Sequence, residues 1–183
     1  PGLLNASAGI STAYSASSSI LVVCGQIERD LIGSDRGMLH EINDQIDIMK
    51  PITKSARRIT DPTEIPTAVR SSFKDLTSGR PRPVEIEIPP ETLAQTADID
   101  LLEPELETRL SPDPASISEA ARIIASAKRP LIWAGGGTIS SEAGDELVHL
   151  AEYIQSPVIM TAEGKGAISD KHPLSLGSLR LRN

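Results

Sequence analysis

The sequence predicts an α/β protein. It reads as two partial units, each a parallel-sheet three-layer (αβα) arrangement, joined by a proline-rich acidic linker. Three observations carry this. Short apolar runs bounded by Gly or Pro alternate with segments of helical period. Residues suited to helix capping stand where several helical segments begin. A stretch with five prolines, Pro89, Pro90, Pro104, Pro112 and Pro114, interrupts the alternation.

The Ala- and Ser-rich stretch from Asn5 to Ser17 places Ile10, Ala13, Tyr14 and Ser17 on one face at helical spacing. Ile20 to Cys24 is a continuous apolar run ending at Gly25-Gln26, which predicts a strand buried on both faces. The polar segment from Ile27 to Glu41, with Gly33 and Gly37, reads as a loop long enough to be functional. Asn43 to Met49 predicts a short helix, and Ile52 to Ile59 a weak strand. Asp61-Pro62-Thr63-Glu64 is a helix start, with Asp as N-cap and Pro at N1. Ile65, Val69, Phe73 and Leu76 follow as an apolar stripe, and Gly79 ends it. Pro83 to Ile88 alternates Val84, Ile86 and Ile88 with Glu85 and Glu87, which predicts a strand with one solvated face or at a sheet edge.

The second unit starts after the acidic stretch, so that the domains read as 1–92, a linker over 93–114, and 115–183. Ser116 to Glu119 has the pattern of a capping box, with Ile117, Ala120, Ala121 and Ile124 on one helical face. Pro130 stops that helix, Leu131 to Ala134 is a strand, and Gly135-Gly136-Gly137 is a turn. Ser140 can cap a helix with the stripe Ala143, Leu147, Leu150, Ala151 and Ile154, and Pro157 to Ala162 is the next strand. Such a strand–helix–strand unit with short turns implies a parallel pair with a right-handed crossover.

Composition excludes several classes. The net charge of −7 opposes general binding to nucleic acid, so no nucleic-acid partner is expected. No apolar run approaches the ~20 residues of a membrane span, so no membrane partner is expected either. A single cysteine, Cys24, rules out an internal disulfide and fits a reducing, cytoplasmic setting. The chain opens on Pro1 and ends at Asn183 without signal peptide or obvious terminus, and reads as part of a longer polypeptide.

Two places could carry chemistry. A strand running into Gly135, Gly136 and Gly137 could cradle an anion, with Glu163 placed to meet a ribose, although Ser140 stands where a third motif glycine would be. The plain alternative is a tight strand–helix turn that binds nothing. In Leu39-His40-Glu41 a histidine able to move protons near neutral pH adjoins a carboxylate, against the alternative of a solvated loop pair. His149 and His172 lie beside a helix stripe and in a polar turn. The three histidines are scattered, there is no C-x-x-C, and no metal ligands are expected within the chain. Cys24 reads as a small buried hydrophobe.

Pro1-Gly2-Leu3-Leu4-Asn5, the strand ending Cys24-Gly25-Gln26, and Leu39-His40-Glu41 together resemble the thiamine-diphosphate-dependent superfamily of acetolactate synthases and pyruvate decarboxylases. The third motif is intermediate between F-Q-E of the synthases and L-H-H of the decarboxylases. Lys54, the stretch from Gly79 to Pro89, Arg129 to Gly137, and Gly164-Lys165-Gly166-Ala167 extend the resemblance, in order, over nearly the whole chain. It implies the end of a pyrimidine-binding domain followed by the start of a Rossmann-like central domain. Pro1, Gly2, Asn5 and His40 would line the thiamine site, with Gln26 and Glu41 flanking it. His40 would hydrogen-bond substrate or transfer a proton, and Glu41 would act beside it.

The resemblance further implies thiamine diphosphate with Mg2+, a 2-keto acid substrate, and a homodimer or homotetramer with its site between subunits. The family's catalytic glutamate would precede Pro1, and the Mg2+ ligands would follow Asn183, outside this chain. Gly135, Gly136 and Gly137 match the glycine turn of FAD-binding synthases, but the segment from Gly177 to Arg182 departs from the later FAD-contacting motif, which lowers the expectation of FAD. Two other readings remain: a nucleotide-binding α/β module for FAD, ADP or NAD, and a truncated non-catalytic relative.

Overall fold

The computed structural model describes residues 1–105 and 110–179. The chain divides into two compact units, Pro1–Arg109 and Leu110–Asn183, each taken by itself below.

The first unit holds three parallel strands in the order β1-β3-β2: β1 (Leu21–Gly25), β2 (Ser55–Arg58) and β3 (Val84–Ile88). Helix α1 (Gly2–Ser15) precedes β1, and the short α2 (Gln45–Met49) precedes β2. Helix α3 (Ile65–Thr77) makes the crossover from β2 to β3, and α4 (Pro90–Ala94) follows β3. Asp44 caps α2 by accepting from the Ile46 amide, and Asp61 caps the turn before α3 by accepting from Thr63.

The two apolar strand readings exchange places. β1 is an edge strand with Val23 63 % exposed, not a strand buried on both faces. β3 is central and buried throughout, and Glu85 and Glu87 are fully buried rather than solvated. The alternation of apolar and acidic residues predicts a solvated glutamate face, and burying such carboxylates unpaired is prohibitively costly. Here neighbouring strands and α2 supply partners for most of their oxygens.

The apolar stripe of α3 is rotated from the predicted one. Ile65, Ala68, Ser72 and Leu76 face inward, with Ile65 and Ala68 packed on Ile59, Ile86 and Ile88. Arg57 fixes this rotation: its guanidinium donates to Ser72 Oγ at 3.1 Å and to Asp75 at 2.5 Å. Val69 and Phe73 instead line an apolar groove of about 540 Å³ with Ile99, Leu101 and Leu102. The acidic segment lies on the surface along α3 over residues 99–105, where Glu105 pairs with Lys74 at 2.5 Å. Lys54 closes the far end of α3, its ammonium donating to the carbonyls of Asp75, Ser78 and Arg80.

The second unit holds α5 (Pro114–Ser126), β4 (Ile132–Ala134), α6 (Gly136–Ser140), α7 (Gly144–Ile154), β5 (Val158–Met160) and β6 (Ser175–Ser178). Its three strands are parallel, in the order β4-β5-β6. β6 has no apolar run and was not foreseen. The N-cap of α5 is Asp113, which accepts from the Ser116 amide at 2.9 Å, with Pro114 at N1, in place of the expected Ser116 capping box. Ser140 ends α6 instead of capping α7.

Ala134, Leu147, Ala151, Val158, Met160, Ala167 and Ile168 form the core between α7 and one sheet face. Ile117 and Ile124 of α5 stay exposed and no residue of the helix is buried, so its expected core stripe meets no buried surface among the described residues of this unit. Gly164 is required where it stands, because a methyl there would lie 2.9 Å from both the Ala134 carbonyl carbon and Gly135 Cα.

Candidate functional site

In open parallel sheets, ligands sit beyond the carboxyl ends of the strands. The first unit has a cleft of about 620 Å³ there, lined by Pro1, Gly2 and Leu3 from the start of α1 and by Cys24 to Glu28 at the end of β1. Met38, Leu39 and His40 of the long loop, with Gln45 of α2, close its other side. The structure therefore gathers Pro1, Gly2, Gln26 and His40 around one cavity, although they are distant in sequence. Asn5 lies one turn into α1, its amide donating to the Pro1 carbonyl, and is not among the lining residues.

His40 stands at φ +70°, in the left-handed region that a non-glycine residue adopts at a cost of about 1 kcal/mol. What holds it there is the next residue. The Glu41 carboxylate accepts from the Arg36 and Met38 amides at 3.1 and 2.8 Å, tying the loop into a tight turn. These hydrogen bonds, the Met38 amide first, hold the Glu41 carboxyl below its ordinary range. Glu41 does not line the cleft, and its work in the structure is to shape the loop that presents His40.

Behind the cleft lies a polar network that sequence reasoning missed. Glu87 accepts from Arg58 Nε at 2.5 Å, from Gln26 Nε2 at 3.1 Å and from Gln45 Nε2 at 3.0 Å. Arg58 also donates to Asp44 at 2.7 Å. Glu85 accepts from the Cys24 thiol at 3.0 Å. Burial first, and then the Glu87 charge, push the Glu85 carboxyl up to about 7. Burial and the two carboxylates push the Cys24 thiol far above its usual range, so Cys24 is no nucleophile by itself. A signal was present: Arg57-Arg58 in one strand and Glu85, Glu87 in its parallel neighbour place opposite charges in register, Arg58 opposite Glu87.

The second unit treats its candidates differently. Gly135 precedes α6, and Gly136 and Gly137 open it, but α6 has only five residues. A methyl on Gly136 would lie 3.1 Å from Glu163 Cβ, so this glycine serves close packing of the turn against the loop after β5. His172 pairs with Glu152 at 3.2 Å on the surface. The departure from the FAD motif falls partly on residues 180–182, outside the described residues. No helix among the described residues is long and apolar enough to cross a membrane.

The fold and cleft define an α/β module with a cavity at the carboxyl ends of a parallel sheet, and comparison with known proteins shows what it is similar to. Residues 117–182 match the model for the thiamine pyrophosphate enzyme central domain. The chain is 40 % identical to a Methanocaldococcus jannaschii protein assigned as an acetolactate synthase large subunit, over 97 % of this chain and 31 % of that protein. It is 37 % identical to an Arthrospira platensis acetolactate synthase, again over 97 % of this chain and 31 % of the relative. The crystal structure of a protein assigned as a thiamin diphosphate-dependent enzyme from Mycobacterium smegmatis shares the fold, with a TM-score of 0.79 at 24 % identity over 98 % of this chain and 34 % of that one. Over nearly its whole length the sequence is thus similar to members of the thiamine diphosphate-dependent enzyme superfamily that its motifs resemble. It spans about a third of the length of the curated relatives it matches.

Proposed function

We propose that this chain supplies one wall of the thiamine site in a thiamine diphosphate-dependent enzyme that decarboxylates or ligates 2-keto acids. The supporting observation is the convergence of Pro1, Gly2, Gln26 and His40 on one cleft at the carboxyl ends of the sheet. The first unit corresponds in this reading to the end of the pyrimidine-binding domain and the second to the start of the central domain.

The residues present fit the aromatic half of the cofactor. Leu3, Val23, Leu31 and Met38 offer apolar surface to a ring, while Gln26, Gln45 and His40 offer polar groups, and about 620 Å³ lies within the size range of ligand clefts. When bound, thiamine diphosphate supplies the electron sink for breaking or forming a bond next to the keto carbon. Gln26 is fixed by Glu87 and by the Ile27 amide, which donates to its Oε1 at 2.7 Å, so its orientation is set before any ligand arrives. His40 projects from the loop that Glu41 latches, at the rim, where it can hydrogen-bond the substrate carboxylate or carry a proton. The Mg2+ and diphosphate contacts fall to no residue of this chain, and a homo-oligomeric, cytoplasmic enzyme completes the reading.

The test is CO2 release from a panel of 2-keto acids by the complete polypeptide that contains this chain, loaded with thiamine diphosphate and Mg2+. His40→Ala is expected to lower kcat by roughly 100-fold, as for loss of a proton-transfer group, with little change in cofactor affinity. Turnover independent of thiamine, or kcat unaltered in the variant, would overturn the assignment.

A further inference from the structure

We propose that Cys24, Glu85 and Glu87 form a binding site for a borderline-soft divalent cation of the Zn2+ type, at the inner wall of the cleft. One ligand atom from each, the thiol sulfur and two carboxylate oxygens, all lie within 4.8 Å of one another. That spacing allows one ion to reach all three after small side-chain rotations. The independent observation is Glu85 Oε2, which is buried and has no hydrogen-bond partner on a side chain that is fully buried. A buried carboxylate oxygen left unsatisfied is costly, and a cation is what satisfies it.

The charges point the same way. Glu85, Glu87 and Asp44 bring three carboxylates to this region. The Arg58 guanidinium is committed to Glu87 and Asp44, and Glu85 has no ion-pair partner among the described residues. Donors near the sulfur are shared, since the one Gln45 amide nitrogen serves Glu87 Oε2, the Gly25 carbonyl and the Cys24 sulfur. Cys24 and Gln45 both line the cleft, which gives an ion its way in and leaves a coordination position open toward solvent.

The donor set selects the class of ion. Ca2+ and Mg2+ take six or more oxygen ligands and do not favour sulfur, whereas Zn2+ accepts sulfur and carboxylate oxygen in a four-coordinate shell. Binding forms a bond from the sulfur lone pair to the metal, and the thiol proton leaves to solvent; no oxidant or reductant is involved.

The test uses the chelator-treated protein and Co2+ as an optical probe for Zn2+. Cys24 is the single cysteine of these 183 residues, and the part of a thiolate-to-Co2+ charge-transfer band that Cys24→Ser removes reports this site. One equivalent of Co2+ is expected to raise the band, with excess Zn2+ but not Mg2+ abolishing it. Cys24→Ser should remove the band, and Glu85→Gln should weaken Zn2+ binding at least tenfold with the far-ultraviolet circular dichroism unchanged. Saturating Co2+ without a charge-transfer band, or Zn2+ affinity unchanged in Glu85→Gln, would overturn the site. None of these readouts involves thiamine, so they stand or fall apart from the proposed activity.

Discussion

Glu85→Gln in the chelator-treated protein tests how the first unit carries its buried charge. The folded chain holds the Glu85 proton until about pH 7, whereas an ordinary glutamate loses it near 4.5. Between those values the folded state binds the extra proton, so stability falls as pH rises and the loss is complete above about pH 7. At about 1.4 kcal/mol for each pH unit, the rise from 4.5 to about 7 sets a ceiling of about 3 kcal/mol, lowered by solvent screening from the adjoining cleft. Glutamine keeps the shape and removes the ionisation. The variant should therefore match wild type at pH 4.5 and exceed it by up to about 3 kcal/mol at pH 8. Urea denaturation followed by circular dichroism measures this, with labelling of the Cys24 thiol marking the transition that belongs to the first unit. Parallel pH profiles for wild type and variant between pH 5 and 8 would refute the claim that burial holds the Glu85 proton up to about pH 7.

Three more outcomes follow from single contacts. Arg58→Met should destabilise the first unit by about 3–5 kcal/mol, because it strips the only ion-pair partner described for buried Glu87, and thermal unfolding would show it. Gly164→Ala should cost at least 1–3 kcal/mol, roughly the overpacking range, since its methyl meets backbone atoms of Ala134 and Gly135 that cannot rotate away; the fluorescence of neighbouring Trp133 follows that transition. His40→Gly should raise stability by up to about 1 kcal/mol by relieving the left-handed backbone, while turnover of the complete enzyme falls, so denaturation and kcat would move in opposite senses.

The α/β class, the parallel strands and most helix positions were legible because each rests on local rules: apolar runs, helical period and capping by Asp. Burial was less legible. Leu21 to Gly25 and Val84 to Ile88 are short, and which of them is central depends on strand order, a long-range property that periodicity does not encode. Ser72 faces inward in α3 while Phe73 faces the groove, because a partner of Arg57 outweighs an aromatic ring at that position. β6 was missed because Ser175-Leu176-Gly177-Ser178 pairs by its backbone alone, with no hydrophobic pattern. At the cleft, the family motifs marked Pro1, Gly2, Gln26 and His40, but the Glu85–Cys24 pair joins residues of two different strands that no local motif connects.

The two units divide structure and chemistry unequally. A strand that only had to pack would carry apolar residues at positions 85 and 87, since replacing buried ionic groups by well-packed apolar ones is often neutral or stabilising. The first unit keeps two buried glutamates there, with a thiol, two glutamines and an arginine arranged around them. It also keeps a histidine in a disfavoured backbone conformation at the rim of the same cleft. The buried residues described for the second unit are uncharged, with Ser156 the polar one among them, and Gly164 and Gly136 are tied to close packing. Costs of this kind persist where a site requires them. The concentration of buried charge around one cleft, with His40 at its rim, therefore supports placing the proposed chemistry in the first unit.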